Sequence, residues 1–352
     1  MRTAHANHGF SLVEFLIASS ITLTIMGVAF STFQDTLALN QTTIQVADSN
    51  QNLRAGANLL VRDLMQTGRN LPLGGISIPS GAGSTAINRP ARPGQSLTFN
   101  NVTATTLSSI TTGANLGPTV DGRVTDLITL LTDDPFMDDL TLNPSTTSGN
   151  VPKLAANGAS FSLGGSAAWL AGSVSDGVAP IAPGDLIYFS NAIGSAIQTV
   201  TRVVGATVYF DAGDAFNFNQ RNADSGSITQ ILGVQTTVRR VLMYTYYVTP
   251  EAPGLPRLVR ALNFGPPQAL AGIIEDLEFT YDLVDGVYNP SNIESLPYTA
   301  NDVTYSANQI RKVNLHVGVR AEEKSKKTND YPRNHLSTTV SIRNLAYVDR
   351  YQ

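Results

Sequence analysis

An α+β fold is expected for this chain: a long N-terminal α-helix, hydrophobic and then amphipathic, packed on an antiparallel β-sheet head with loop-rich insertions. Three observations carry this. Residues 15–34 contain no charge. Apolar residues Val46, Leu53, Ala57, Leu60 and Leu64 follow at spacings of seven, four, three and four, which is one helix face. Beyond residue 180 the apolar residues fall into short β-branched and aromatic runs separated by turn residues.

Taken in order, the uncharged run is roughly 30 Å of helix at 1.5 Å per residue, the thickness of one bilayer core. The helix continues through the polar set Asp48, Asn50, Asn52, Arg54 and Arg62, and is expected to stop at Gly68-Arg69-Asn70, ahead of Pro72 and Gly74-Gly75. Residues 10–70 thus form a rod of roughly 90 Å. Residues 71–125 are rich in Gly, Pro, Ser and Thr and read as a loop-rich connection with one strand near residues 96–99. A β-rich head then fills residues 126–352, interrupted near residues 145–177 by a low-complexity insertion containing Trp169.

Strands are expected within the head at residues 126–131, 185–190, 197–204, 207–211 and 241–249. A hairpin partner follows at residues 257–262, then residues 269–274 and 277–283 flank a short acidic bend. Residues 311–320 alternate, with Val313, Leu315, Val317 and Val319 on one face, and residues 338–345 alternate again. The charged stretch 322–333 between them reads as a solvated hairpin connection.

Composition narrows the function. Of 352 residues 14% are charged, with a formal net charge of −4, so no clustered basic surface for nucleic acid is present. Cysteine is absent, which removes disulfides, thiolate metal sites and thiol nucleophiles together. No Gly-x-Ser-x-Gly, phosphate loop or paired metal-ligating histidines occur, and an enzyme is not expected.

The most specific pattern lies at the N-terminus. A polar leader, residues 1–9, ends in Gly9; Phe10-Ser11-Leu12-Val13 follows, and Glu14 is the carboxylate at the N-terminal edge of the uncharged run. A membrane-embedded carboxylate costs about 2.5–3.5 kcal/mol on insertion scales and calls for a partner. A secretory signal peptide has a basic leader, a short apolar core and a small-x-small cleavage site. Here the leader holds only Arg2, the run is too long, and Ala29-Phe30-Ser31 is a poor cleavage site. A signal anchor leaves Gly9 and Glu14 unexplained, and a buried core helix would be shorter, with a polar face.

The arrangement resembles the class III signal of type IV prepilins. Further segments resemble PilW-type minor pilins: Leu59-Leu60-Val61-Arg62-Asp63-Leu64-Met65-Gln66-Thr67-Gly68, then Gly184-Asp185-Leu186-Ile187-Tyr188 with Val200-Thr201-Arg202-Val203. Ile273-Ile274-Glu275-Asp276-Leu277-Glu278-Phe279 and Val340-Ser341-Ile342-Arg343-Asn344-Leu345 complete the set. The family's basic pattern after Leu64 is replaced by Met65-Gln66, and the cysteines of many relatives are missing.

The resemblance implies a pilin-like fold and a structural subunit of a type IV pilus, acting in pilus assembly or initiation or at the tip. A prepilin peptidase would cut between Gly9 and Phe10 and methylate Phe10. Glu14 would neutralise a neighbouring subunit's N-terminal amine; a carboxylate snorkelling at the membrane edge is the plainer alternative. Partners would be that peptidase, the inner membrane with the head on its periplasmic side, and other major and minor pilins in the extracellular fimbrium. Two alternatives stand beside it: a J-type pseudopilin of type II secretion, usually much shorter, and a pilus-tip adhesin or surface-binding module.

Several other residues carry chemistry. Ser11, Ser19, Ser20, Thr22 and Thr24 suit helix–helix contacts in lipid. Asp133, Asp134, Asp138 and Asp139 form the only dense carboxylate cluster and are the weak calcium candidates; their spacing matches no EF-hand loop, so a solvated turn is the plainer reading and no cofactor is expected. Asp211 and Asp214 read as solvated turns too. His316 reads as solvent-exposed, and Tyr244, Tyr246 and Tyr247 as sheet packing.

Overall fold

From Leu12 to Gln66 the backbone is one α-helix of 55 residues, a segment without proline. It ends where expected: Gly68 (φ +76°) and Asn70 (φ +54°) turn left-handed, while Thr67 Oγ1 donates back to the Asp63 carbonyl at 2.8 Å. The computed structural model describes residues 11–165, 168–171, 179–250, 255–325 and 328–345. The chain divides into two compact units, residues 1–51 with 320–334, and residues 52–319 with 335–352.

In the first unit, helix residues up to 51 lie against the charged segment that was expected to be a plain solvated connection. Gln45 Nε2 donates to Glu323 Oε2 at 3.4 Å, and Asn334 Nδ2 meets Asn50 Oδ1. Asp35, Leu39 and Thr42 share a cavity of about 390 Å³ with Ser325, Tyr331 and Pro332. The Arg320 guanidinium stacks 4.1 Å from the Tyr331 ring centroid. The described residues of this segment therefore lie against the helix, because Tyr331 and Pro332 give it an apolar side.

The second unit is built on a ten-stranded antiparallel sheet. Its main path runs Ser195–Thr199, Leu186–Ser190, Thr236–Val248, Arg257–Leu262, Gln268–Leu283, Ile310–Arg320 and Arg333–Ser341. The long strand Thr236–Val248 is flanked on both sides. Val238 pairs with Phe189 and Leu140, and Tyr244 with Leu262 and Leu130, so four shorter strands share its two edges. The leucine stripe seats the helix here: Leu53, Leu60 and Leu64 are buried with Leu130, Tyr246, Leu277, Leu315 and Val317. Burial of each leucine is worth about 1.5–3 kcal/mol.

Other expectations need correction. Residues 71–125 hold seven short strands, and Ile76, Ile78, Ile87, Phe99 and Leu107 share a core with Tyr188 and Met243. The segment is part of the head because its sparse apolar residues enter the head's cores, Ile110 and Val120 joining the one under the helix end. Trp169 of the low-complexity stretch is likewise core, packed edge-on to Phe161 at 6.0 Å; residues 166–167 and 172–178 lie outside the described residues. The expected strand 197–204 is two strands, Ser195–Thr199 and Arg202–Val204. The acidic bend is no bend. Gln268–Leu283 is one strand in which Ile274 pairs with Val319 and Asp276 with Gly318, so Glu275 is an inserted β-bulge residue.

Candidate functional site

The N-terminal segment is the first candidate. Gly9 and Phe10 lie outside the described residues. Glu14 sits in the first turn, where Ser11 Oγ accepts from the Glu14 amide at 3.2 Å and Glu14 Oε2 accepts from the Ser11 amide at 2.9 Å and its hydroxyl at 3.0 Å. This reciprocal arrangement is a capping box: two amides that an α-helix leaves without partners are both satisfied.

Beyond Glu14, apolar side chains are exposed on every side of the helix, among them Leu12, Phe15, Leu23, Met26 and Phe30. The hydroxyls between them are turned inward chemically. Ser19 Oγ donates to the Leu16 carbonyl, Ser20 Oγ to Ile17, Thr22 Oγ1 to Ala18 and Thr24 Oγ1 to Ser20, so none presents an unsatisfied proton to an apolar surrounding. The helix is long and apolar enough to cross a membrane or to act as a signal sequence.

The four clustered aspartates are taken apart by the fold. Asp133 accepts from Arg69 Nε and Asn70 Nδ2, both at 2.6 Å. Asp134 is buried against Arg240, with Nε at 2.6 Å. Asp139 takes a bidentate pair from Arg239 at 2.6–2.8 Å. The Asp138 carbonyl accepts the Trp169 indole N–H at 3.1 Å. No calcium cluster survives: arginines from Thr236–Val248 and the helix end neutralise Asp133, Asp134 and Asp139, and the solvated-turn reading holds only for the exposed Asp138 and Asp139. Among the described residues no group of three or more His, Cys, Asp or Glu side chains gathers to hold a metal.

Asp214 is also buried, accepting the Phe218 and Asn219 amides at 3.1 and 3.0 Å. Asp211 pairs with Arg202 Nε at 2.9 Å, which holds its carboxyl below the usual range. His316 is half-buried, with its ring stacked on His335 at 5.5 Å and Nδ1 sharing a 2.8 Å hydrogen bond with Ser337 Oγ. Its expected exposure holds in part: 35% of the side chain meets solvent, and the neighbouring strand covers the ring with His335.

One constellation was not foreseen. Asp63, 2% exposed, accepts the Tyr246 hydroxyl at 2.6 Å and pairs with Arg260 Nη2 at 2.8 Å and Arg62 Nη2 at 3.4 Å. Burial, then the Asp63 charge, pushes the Tyr246 phenol strongly upward. Arg260 also stacks 3.7 Å from the Tyr244 ring centroid. One carboxylate therefore ties the helix to two strands, and Tyr246 does more than pack. A signal existed: Asp63 lies three residues after Leu60, beside the apolar stripe, where a charge demands partners. No protein-family model, curated protein or solved structure matches this chain.

Proposed function

We propose that this chain is a structural subunit of a type IV pilus, a PilW-like minor pilin acting in assembly, in initiation or at the tip, and not an enzyme. One observation carries the reading: a helix whose residues 15–34 are uncharged and expose apolar side chains on all sides, preceded by a single carboxylate, Glu14, in its first turn. Prepilin peptidase removes residues 1–9, Phe10 is methylated, and the helix waits in the inner membrane with the head on the periplasmic side. Assembly transfers the exposed apolar surface from lipid into a bundle of like helices. Glu14 then exchanges its contact with Ser11 for the Phe10 amine of a neighbour, an attraction strengthened by low dielectric and limited by desolvation.

The test separates charge from capping. Mass spectrometry of the membrane-extracted protein should give a chain starting at N-methyl-Phe10. Glu14→Gln keeps a side chain that can complete the capping box but removes the charge. Leaving a buried amine unpaired costs about 3–5 kcal/mol, roughly two or more orders of magnitude in incorporation. Cleavage should therefore persist while co-purification with other pilins collapses. Normal incorporation of Glu14→Gln would reduce Glu14 to a helix cap, and a mature start beyond Ala29 would replace the whole reading with secretion.

A further inference from the structure

Two arginines packed inside the head meet carboxylates. Arg240, almost fully buried, has Asp134 and, at 3.5 Å, Asp185; Arg260 has Asp63. Arg89, at the end of strand Ile87–Arg89 and 5% exposed, breaks the pattern. Its Nε donates to Thr129 Oγ1 at 3.0 Å, Nη1 to the Thr112 carbonyl at 2.8 Å and Nη2 to the Thr111 carbonyl at 2.9 Å. All three acceptors are neutral. A guanidinium has five N–H donors, so these bonds leave two of them.

The charge itself is uncompensated among the described residues, although burying an unpaired cation is costly. Burial lowers its pKa to about 10, which leaves it protonated at neutral pH. The backbone makes room for it: a Cβ on Gly113 would sit 3.2 Å from Arg89 Nη2 and 2.3 Å from the Leu127 carbonyl oxygen. Two N–H groups and a full charge are thus left for an anionic partner.

Arg89 lines a cavity of about 420 Å³, within the range of roughly 300–1,000 Å³ typical of small-molecule sites. It is the only charged residue in that lining; Asn100, Thr106 and Ser306 add amide and hydroxyl groups, and Leu296 and Pro297 add an apolar wall. We propose that this cavity binds a carboxylate-bearing monosaccharide. The planar guanidinium fork matches a carboxylate. A single positive charge suits a monoanion better than a phosphate dianion. The hydroxyl-bearing residues complement sugar hydroxyls while the apolar wall covers the ring's C–H face. The inference is independent of the filament reading.

Saturation-transfer NMR on the full chain in a polyoxyethylene detergent tests it, with sodium D-glucuronate as the probe and D-glucose and acetate as controls at matched ionic strength. Glucuronate should receive saturation with at least tenfold higher affinity than either control. Arg89→Lys, which keeps charge but loses the fork, should weaken it about tenfold. Ala104→Trp, on the cavity lining, should abolish it with Arg89 intact. Silence with glucuronate, equal binding of glucose or of acetate, or unchanged binding in Ala104→Trp would each overturn the proposal.

Discussion

Asp285 shows how neighbours set a single residue's behaviour. Tyr305 donates its hydroxyl to Oδ2 at 2.7 Å, and the amides of Val287, Tyr288 and Asn289 donate to Oδ1 at 2.7–3.0 Å. The Tyr305 bond is the largest cause that brings the Asp285 carboxyl from its ordinary 3.8 down to about 2, and the same bond raises the Tyr305 phenol from 10 to about 12. A lowered acid contributes stability that is complete above about pH 4 and is lost as pH falls through about 2. The raised phenol contributes stability complete below pH 10 and lost as pH rises through 12. Tyr305→Phe should therefore raise the Asp285 midpoint in a carboxyl-carbon NMR titration, stopping short of 3.8 because the three amides still donate. A midpoint unmoved at about 2 would assign the whole effect to the backbone. At this scale the sequence was legible where chemistry is local, as with the helix stop at Gly68-Arg69-Asn70, where Gly68 and Asn70 turn left-handed. It was silent on the partners of Asp63 and Arg89, which come from strands 183 and 22–40 residues away.

At the scale of elements, periodicity predicted what it physically controls. The leucine stripe is buried because a helix with one apolar face has one way to lie on a sheet, and the alternation at residues 311–320 is half-buried for the matching reason. Of the strands of residues 71–125 only Leu97–Phe99 was expected; the others escaped because two- and three-residue strands have no period to read. The helix seat also depends on a missing side chain: a Cβ on Gly56 would lie 2.6 Å from the Ala271 Cβ. Gly56→Val should therefore cost about 1–3 kcal/mol by overpacking, read as a lowered thermal midpoint of the head. Gly27→Val, on the same helix with nothing within 4 Å of its Cβ, should leave that midpoint unchanged. An equal response of both variants would remove the helix–sheet contact as the cause.

For the molecule as a whole, the helix changes character along its length, exposed and apolar at first and buried along a leucine stripe at its end. A chain beginning at Gln41 lacks the uncharged stretch but keeps Leu53, Ala57, Leu60 and Leu64; it should be soluble and give mixed α/β circular dichroism. A chain beginning at Leu71 exposes the sheet face those residues cover, and three leucines at about 1.5–3 kcal/mol each approach a domain's whole stability. It should aggregate, as size-exclusion chromatography would register. Equal solubility of the two chains would place the helix outside the core. The α+β class was legible in the sequence; the ten-stranded pairing was not, because pairing is decided between distant segments that carry no mutual mark.

The long strand Thr236–Val248 also sets a timetable. It is made after three of the four strands it pairs with: Ile128–Asp133 and Leu140–Leu142 emerge about a hundred residues earlier, and Leu186–Ser190 about fifty. Until it arrives, these segments have edges and no centre, and the leucines of the helix end have nothing to cover. Acquisition of structure by this head is thus deferred to the last third of synthesis, a high-contact-order route that is intrinsically slow and leaves apolar strands open to mispairing. With no cysteine to lock an early loop, the nascent chain depends on being kept apart from its own copies until residue 248 and its successors are in place.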